Sequence, residues 1–577
     1  MANTIPEVFF KTAEMFPEKT TFLYKKNGLY CPIKYKEAAE NIRVLAFGIS
    51  QLGIKRGGKI AILSENRPEW AMFDLAIMSM GVISVPLHIV LCPKIIEYIL
   101  NHSQSEILII SSDDLLEKII PIQNNLPFLR NIIFLDEIKK ENKDKLRKEA
   151  INYNELFAQA GENKLRPVAL QSDDICSIVY TSGTTGLPKG VELSHNNFLS
   201  NIGAVKLAVP VEPDDIFLSF LPLSHILERL CGYYIPLLSG ATIAYAESAK
   251  TLLLDLSEVK PTVLIAVPRI FEKFYEGIWN NTRKLEGLKK IIFFWALKQK
   301  RKSLSHILAD VLVFKKIKGK LGGNLRLAVS GGASLDKKIA KFFMKIGILI
   351  LEGYGLTETS PVISVNKKDS FMFGTVGKPI SGVDVKISGD KEILVRGPNV
   401  MKGYFNNYEE TQNAIDPRGW FHTGDLGFIN EEGFLTIIGR KKEMIVLSMG
   451  KNIWPEVIER ELNNDCFISQ SMIIGNNRKF VSALVVPDWE KIQDFLKEKN
   501  LLSENRENLV GNEILNKLFK EKIETINENF SDYEKIKKFR LISREFSQEK
   551  EEMTPTLKLR RAIIGDNYKK EIAGMYD

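Results

Sequence analysis

The sequence predicts a large N-terminal domain of layered α/β sheets carrying a small β-rich unit, followed by a smaller α+β C-terminal domain. Three observations predict it. Short runs rich in β-branched residues alternate with stretches of helical length, as in a largely parallel sheet. From Thr375 to Ile438 the spacing shortens to strands and turns. A charged break at 439–442, Gly-Arg-Lys-Lys, then sets off a compact remainder. The expected domains are residues 1–440 and 441–577.

Residues 1–60 carry helix-like periodicity that stops at Gly53 and Gly57-Gly58. The run at 60–63 reads as a buried strand. Pro68 and Glu69 open a mostly apolar helix over 71–80, closed by Gly81, and 82–87 is the next strand. Pro93 opens another helix, and 107–110 and 132–135 are strands. The charged segment 139–148 reads as a solvated loop or helix. Strands follow at 175–180 and 191–194, with a helix opened by Ser194 or Asn196. Further strands are expected at 216–220, 241–245, 262–267, 325–329 and 348–351. Residues 271–320 read as helical and basic. In the remainder, strands at 471–474 and 482–486 precede a charged helical stretch from Trp489 to about Lys537.

Of the 577 residues, 45% are hydrophobic and 26% charged, which suits a globular protein with ample core. The net charge of +8 fits an anionic ligand or a weak attraction to anionic lipid, and is too diffuse to argue for nucleic acid. Cys31, Cys92, Cys176, Cys231 and Cys466 are scattered, with no CxxC pair, so the expectation is a reduced, cytoplasmic setting without zinc. The N-terminus lacks a basic n-region and an apolar h-region, so no signal peptide is expected. The longest apolar stretch, 71–90, is broken by Asp74, Gly81, Pro86 and His88 and reads as a helix and strand rather than a membrane span. At 289–302 an aromatic cluster lies between lysines. That pattern fits a helix lying on a membrane surface, with peripheral contact at its inner face, or a helix packed on the core with solvated ends.

The most informative stretch is Tyr-Thr-Ser-Gly-Thr-Thr-Gly-Leu-Pro-Lys-Gly at 180–190. Glycines let the backbone approach a ligand, hydroxyls and amides donate, and Lys189 adds a positive charge, a combination suited to polyphosphate. The spacing is not that of the Walker loop. Two more strand ends lead into small, donor-rich loops at 330–334 and 352–359, where ligands of open α/β sheets collect. Tyr354 offers a flat face to a purine. Glu358 suits a divalent cation that keeps waters and phosphate oxygens, and Asp425 suits ribose hydroxyls.

With these motifs assembled, the chain resembles the adenylate-forming superfamily of acyl-CoA synthetases over nearly its whole length. The carriers are YTSGTTGLPKG at 180–190, LPLSHILER at 221–229, SGGASL at 330–335, GYGLTET at 353–359, FHTGDLG at 421–427, GRKKEMIVLSMGKNI at 439–453 and TPTLKLRR at 554–561. Within it the chain is most similar to long-chain fatty acid ligases, through LSENRPEW at 63–70, VPRIFEKFY at 267–275 and the basic helical insert.

The resemblance implies activation of a long-chain fatty acid with ATP, Mg²⁺ and coenzyme A. Thr181, Ser182, Gly183, Thr184, Thr185, Gly186 and Lys189 would cradle the β- and γ-phosphates. Gly331, Gly332, Ala333, Glu352, Gly353 and Tyr354 would enclose adenine, and Thr357 would contact the α-phosphate. Glu358, with Thr184, would hold Mg²⁺. Asp425 and Arg440 would bind ribose, and Lys558 would reach in from a mobile C-terminal domain to the carboxylate and α-phosphate. Domain rotation about 440–442 would then withdraw Lys558 and bring the loop at 448–450, with Gly450, to a pantetheine tunnel. His225 would sit near the acyl–CoA junction. Some fatty-acid members carry a gating Trp where this chain has Arg229, so no gating aromatic is transferred. Three alternatives stand beside this reading: an acyl-carrier-protein acceptor in place of CoA, an enzyme that stops at the adenylate, and a catalytically silent lipid-binding relative.

Overall fold

In a computed structural model the protein is described over residues 3–161, 163–165, 168–181, 187–248, 250–301, 303–501, 505–554 and 558–577. Two mixed, mainly parallel sheets dominate the described residues. In the nine-stranded sheet, Leu349–Gly355, Leu327–Ser330, Val263–Ala266, Ile216–Ser219, Thr242–Tyr245 and Thr20–Lys26 run side by side in parallel. In the eight-stranded sheet, Ile175–Thr181, Ile83–Leu87, Lys59–Leu63, Ile107–Ile110, Asn131–Phe134 and Glu149–Asn152 do the same.

One continuous core joins these sheets to helices Tyr35–Gln51, Pro68–Ser79 and His195–Ala208. Pro68–Ser79 is apolar nearly all round, with Pro68 at its first turn, and ten of its twelve residues are buried. A helix with no polar face has to be enclosed. Ser194 caps His195–Ala208 by accepting from the Asn197 N–H.

The β-rich unit is an antiparallel sheet of Asp384–Ile387, Glu392–Arg396, Phe421–Ile429 and Leu435–Arg440. After residue 440, strands Ile468–Ile474, Val481–Pro487 and Ile536–Leu541 form a separate sheet, and two hydrophobic clusters there contain only residues beyond 440.

Three departures from the sequence reading have local causes. Residues 1–60 are not simply helical: Thr20–Lys26 and Leu29–Lys34 form an antiparallel hairpin. Its turn is Asn27-Gly28, both at positive φ, the dipeptide that a tight hairpin favours. The strand expected at 348–351 runs on to Gly355, because its second half pairs antiparallel with Val362–Val365. The helical stretch stops before Lys537, which lies in Ile536–Leu541; interleaved lysines and arginine disguise that strand. Within 139–148, Lys140–Lys143 is one short helical turn.

Candidate active site

A continuous cavity of about 2420 Å³ opens at the carboxyl ends of the central strands, between the two sheets, the β-rich unit and the C-terminal residues. At one end, Asp425 and Arg440 face each other as a cross-strand pair of the β-rich sheet, Nε to Oδ1 at 2.9 Å. The Tyr354 hydroxyl donates to the other Asp425 oxygen at 2.7 Å, which ties the β-rich unit to the nine-stranded sheet. Asp425 holds the Arg440 guanidinium charged beyond its ordinary value. Burial pushes the Tyr354 phenol well above the usual range, so it stays a donor.

Glu352, two residues earlier on the same strand, accepts from the Leu335 N–H at 3.1 Å and so braces the 331–335 loop; burial raises its acid. Gly331, Gly332, Ala333, Gly353 and Thr357 line the cavity beside it. Gly355 is obligatory at its bend, since a Cβ there would collide with the Pro361 carbonyl. Glu358 sits on a one-turn helix with its Oε1 accepting from the Tyr404 hydroxyl at 2.9 Å. Among the described residues no group of three or more His, Cys, Asp or Glu is arranged around a metal. A single wall carboxylate, Glu358, fits Mg²⁺, which keeps waters and takes few protein ligands.

Lys189 reaches Glu410 at 2.5 Å and lies 5.1 Å from the Tyr404 ring. Thr181 ends its strand on the cavity wall. Ser182, Gly183, Thr184, Thr185 and Gly186 lie outside the described residues.

Lys558 arrives from the C-terminal residues. Its backbone is fixed by Thr554, whose N–H donates to the Lys558 carbonyl at 2.8 Å and whose Oγ1 accepts from the Lys558 N–H at 3.0 Å. The side chain keeps surface open to the cavity while protein closes round it. That enclosure, then the nearby Arg440 charge, lowers its ammonium, with Asp425, Glu456 and Glu443 pulling the other way. Burial, then Glu443, pushes Glu456 up to about 7.

His225 lines the same cavity. The Leu227 N–H donates to its Nδ1 at 3.3 Å, so the neutral ring carries its proton on Nε2. Burial, then His88 and Lys558, pushes it down to about 3. His88 had no role in the sequence reading. It lies 6.4 Å from His225 ring to ring, shares a 2.7 Å hydrogen bond with Ser224 Oγ, and is pushed by burial down to about 4. Its one usable signal was its place directly after strand Ile83–Leu87, at a parallel strand's carboxyl end. Tyr404 and Glu410, the partners of Glu358 and Lys189, had no motif to betray them.

Beyond His225 the cavity becomes aliphatic. Phe217, Val263 and Leu327 stand in register on adjacent strands and all line it, as do Ile265 and Val329 two residues on. Alternate strand residues share a face, so the sheet itself is the floor of this arm. Arg229 does not line it. It is fully buried, ion-paired with Asp74, and donates to Ser177 Oγ at 2.6 Å and to the Tyr234 hydroxyl at 3.0 Å. Gly450 is also away from the cavity, next to the exposed Met449.

The site therefore joins a polar, cation-rich end to an aliphatic arm, with imidazoles at the junction. A family model described as AMP-binding enzyme matches residues 9–405, and one described as AMP-binding enzyme C-terminal domain matches 442–577. A long-chain-fatty-acid–CoA ligase, FadD15, of Mycobacterium tuberculosis is 33% identical, over 100% of this chain and 97% of that protein. Long-chain-fatty-acid–CoA ligase 5 of Rattus norvegicus is 30% identical, over 100% of this chain and 89% of its own. Among solved structures, an anthranilate CoA ligase bound to anthranoyl-AMP shares the fold, with a TM-score of 0.78 at 19% identity, covering 99% and 98% of the two chains.

Proposed function

This chain belongs to the AMP-binding enzyme family, and on that footing we propose that it joins long-chain fatty acids to coenzyme A through an acyl-AMP intermediate. The observation that carries the reading is the convergence of Tyr354, Asp425, Arg440 and Lys558 at the mouth of an aliphatic arm. The names of the full-length relatives support the substrate class.

In the first step a carboxylate oxygen attacks the α-phosphorus of ATP, the α–β bridging bond breaks, and pyrophosphate leaves. Both reactants are anions, so the work is neutralisation and alignment. Adenine lies against Tyr354 between the 331–333 and 352–353 segments. Asp425 and Arg440 take the ribose. Thr181 and Lys189, with the loop at 182–186, take the outer phosphates, so Lys189 leaves Glu410 to do so. Thr357 and Lys558 meet the α-phosphate, Lys558 as a compact charge on a flexible stem. When bound, Mg²⁺ on Glu358 and Thr184 would neutralise phosphate charge. The acyl chain lies along Phe217, Val263 and Leu327.

In the second step the CoA thiol attacks the acyl carbonyl and AMP leaves. We assign the division into two domains at 440/441; the separate cores on either side support it. Rotation there withdraws Lys558 and turns the Gly450 loop toward the site. His225, neutral with a proton on Nε2, stands where the new acyl–sulfur bond forms.

The test offers the protein palmitate, Mg·ATP and either CoA or a phosphopantetheinylated carrier protein, with products read by mass spectrometry. Palmitoyl-CoA and AMP are expected; thioester on the carrier alone overturns the acceptor, and no acid-dependent AMP overturns the reading.

A further inference from the structure

The basic helical insert leaves an apolar face uncovered. Helix Gly287–Lys298 buries Phe293 and Ala296 against the core, where Trp279 meets Phe293 at 5.8 Å. Its other face exposes Leu288 (71%), Ile291 (65%) and Phe294. Packed beside it, the helical run from Leu304 exposes Leu304, Ile307, Leu308, Val311 and Leu312. That spacing of three, four, seven and eight residues is the stripe a helix normally turns inward. Here eight large apolar side chains face water, more than scattered surface residues account for. A groove on the first helix is walled by Ile291, Phe294 and Trp295 and flanked by Lys290 and Lys298.

The charge around this face selects its partner. Between residues 283 and 320 the sequence has twelve Lys or Arg and two acids. One of the acids, Asp310, is already paired with Lys318 at 2.7 Å. A second copy of this chain would oppose lysines to lysines. A neutral apolar partner would leave the lysines unanswered. We propose that this face docks on an anionic lipid surface, its leucines and isoleucines in the acyl boundary and its lysines among the headgroups. Among the described residues no helix is long and apolar enough to cross a membrane, so the contact is peripheral.

The placement has a consequence for the site. Helix Pro268–Arg283 lines the cavity at its start, through Arg269, Glu272 and Lys273, and packs against the insert at Trp279. Trp279 follows Lys273 by six residues, so the helix sets its contact with the insert about 9 Å along its axis from the cavity wall. Docking there would bring the enzyme to where acyl chains partition. That benefit rests on the fatty-acid reading; the lipid contact itself does not.

Flotation of the full chain with lipid vesicles, without ATP or acid, tests the contact alone. One set is phosphatidylcholine and the other contains about one-third phosphatidylglycerol. Binding to the anionic set should exceed binding to the neutral set by about tenfold or more and weaken with salt. Ile291→Glu with Leu308→Glu should abolish it. Lys290→Gln with Lys298→Gln should weaken it on the order of tenfold at an unchanged melting temperature, and this pair decides if the first variant unfolds. Equal binding to both sets, no binding to either, or wild-type binding by the lysine variant overturns the proposal. So does a soluble dimer in sedimentation that the lysine variant leaves intact.

Discussion

Arg229 and Glu228 are neighbours with opposite burdens. Arg229 is buried but answered by Asp74, Ser177 and Tyr234, and sits 5.6 Å over Trp70. Removing one partner of such a pair strands a charge, so Asp74→Asn should cost about 3–5 kcal/mol in denaturant unfolding; a cost under about 1 kcal/mol would contradict this. Glu228 is buried with neither carboxyl oxygen in a well-formed hydrogen bond, and burial pushes it up to about 8, with the Ser219 hydroxyl pulling the other way. In the unfolded chain the same acid ionises near 4.5. Between these values the folded state keeps a proton the unfolded state has lost, so this group's contribution to stability falls as pH rises. Glu228→Gln cannot ionise. Its unfolding free energy relative to wild type should therefore climb as pH rises from 4.5 to about 8, by a few kcal/mol in all. A difference independent of pH would show that Glu228 does not titrate there. The sequence showed that position 229 departs from the gating aromatic of some fatty-acid members; it had no means of showing that the arginine is a buried strut, because Asp74 and Ser177 lie far away in the chain.

Strands, rather than single residues, shape the acyl arm. Phe217, Val263 and Leu327 meet through strand register, which is a property of pairing and invisible in any one segment. Val263→Phe should therefore obstruct the arm while sparing its mouth. The ratio of kcat/KM for palmitate over octanoate should fall on the order of tenfold, and an unchanged ratio would move the chain elsewhere. The same distinction explains what the sequence disclosed. Apolar runs such as 60–63 and 107–110 were legible because burial on both faces makes them continuous. The hairpin at Thr20–Lys26 and Leu29–Lys34 was masked by mixed polarity, although Asn27-Gly28 announced it. The polar end of the site was legible because glycines, hydroxyls and charges cluster along the chain. His88, Tyr404 and Glu410 were not, because each is a lone residue made relevant by folding.

At the scale of the molecule, few polar contacts among the described residues span the 440/441 division: at the hinge itself Lys441 pairs with Asp390 at 2.6 Å and Glu392 at 3.2 Å, and away from it Arg460 reaches Ser334 at 3.3 Å, Lys491 Glu276 at 3.5 Å, and Cys92 Glu551 at 3.4 Å. Such exposed contacts contribute little each, so the arrangement around Lys558 is held lightly. Ser334→Cys with Arg460→Cys, joined by a short thiol cross-linker in a Cys31, Cys92 and Cys466→Ser background, should keep acyl-AMP formation and lose thioester formation. Normal thioester output from the cross-linked protein would show that no rotation is needed. The most direct measurement separates the two steps in Lys558→Ala. In rapid-quench assays, acyl-AMP formation from palmitate and ATP should drop by about a thousandfold, while thioester formation from supplied palmitoyl-AMP and CoA stays within about twofold of wild type. Equal loss of both steps would contradict the account.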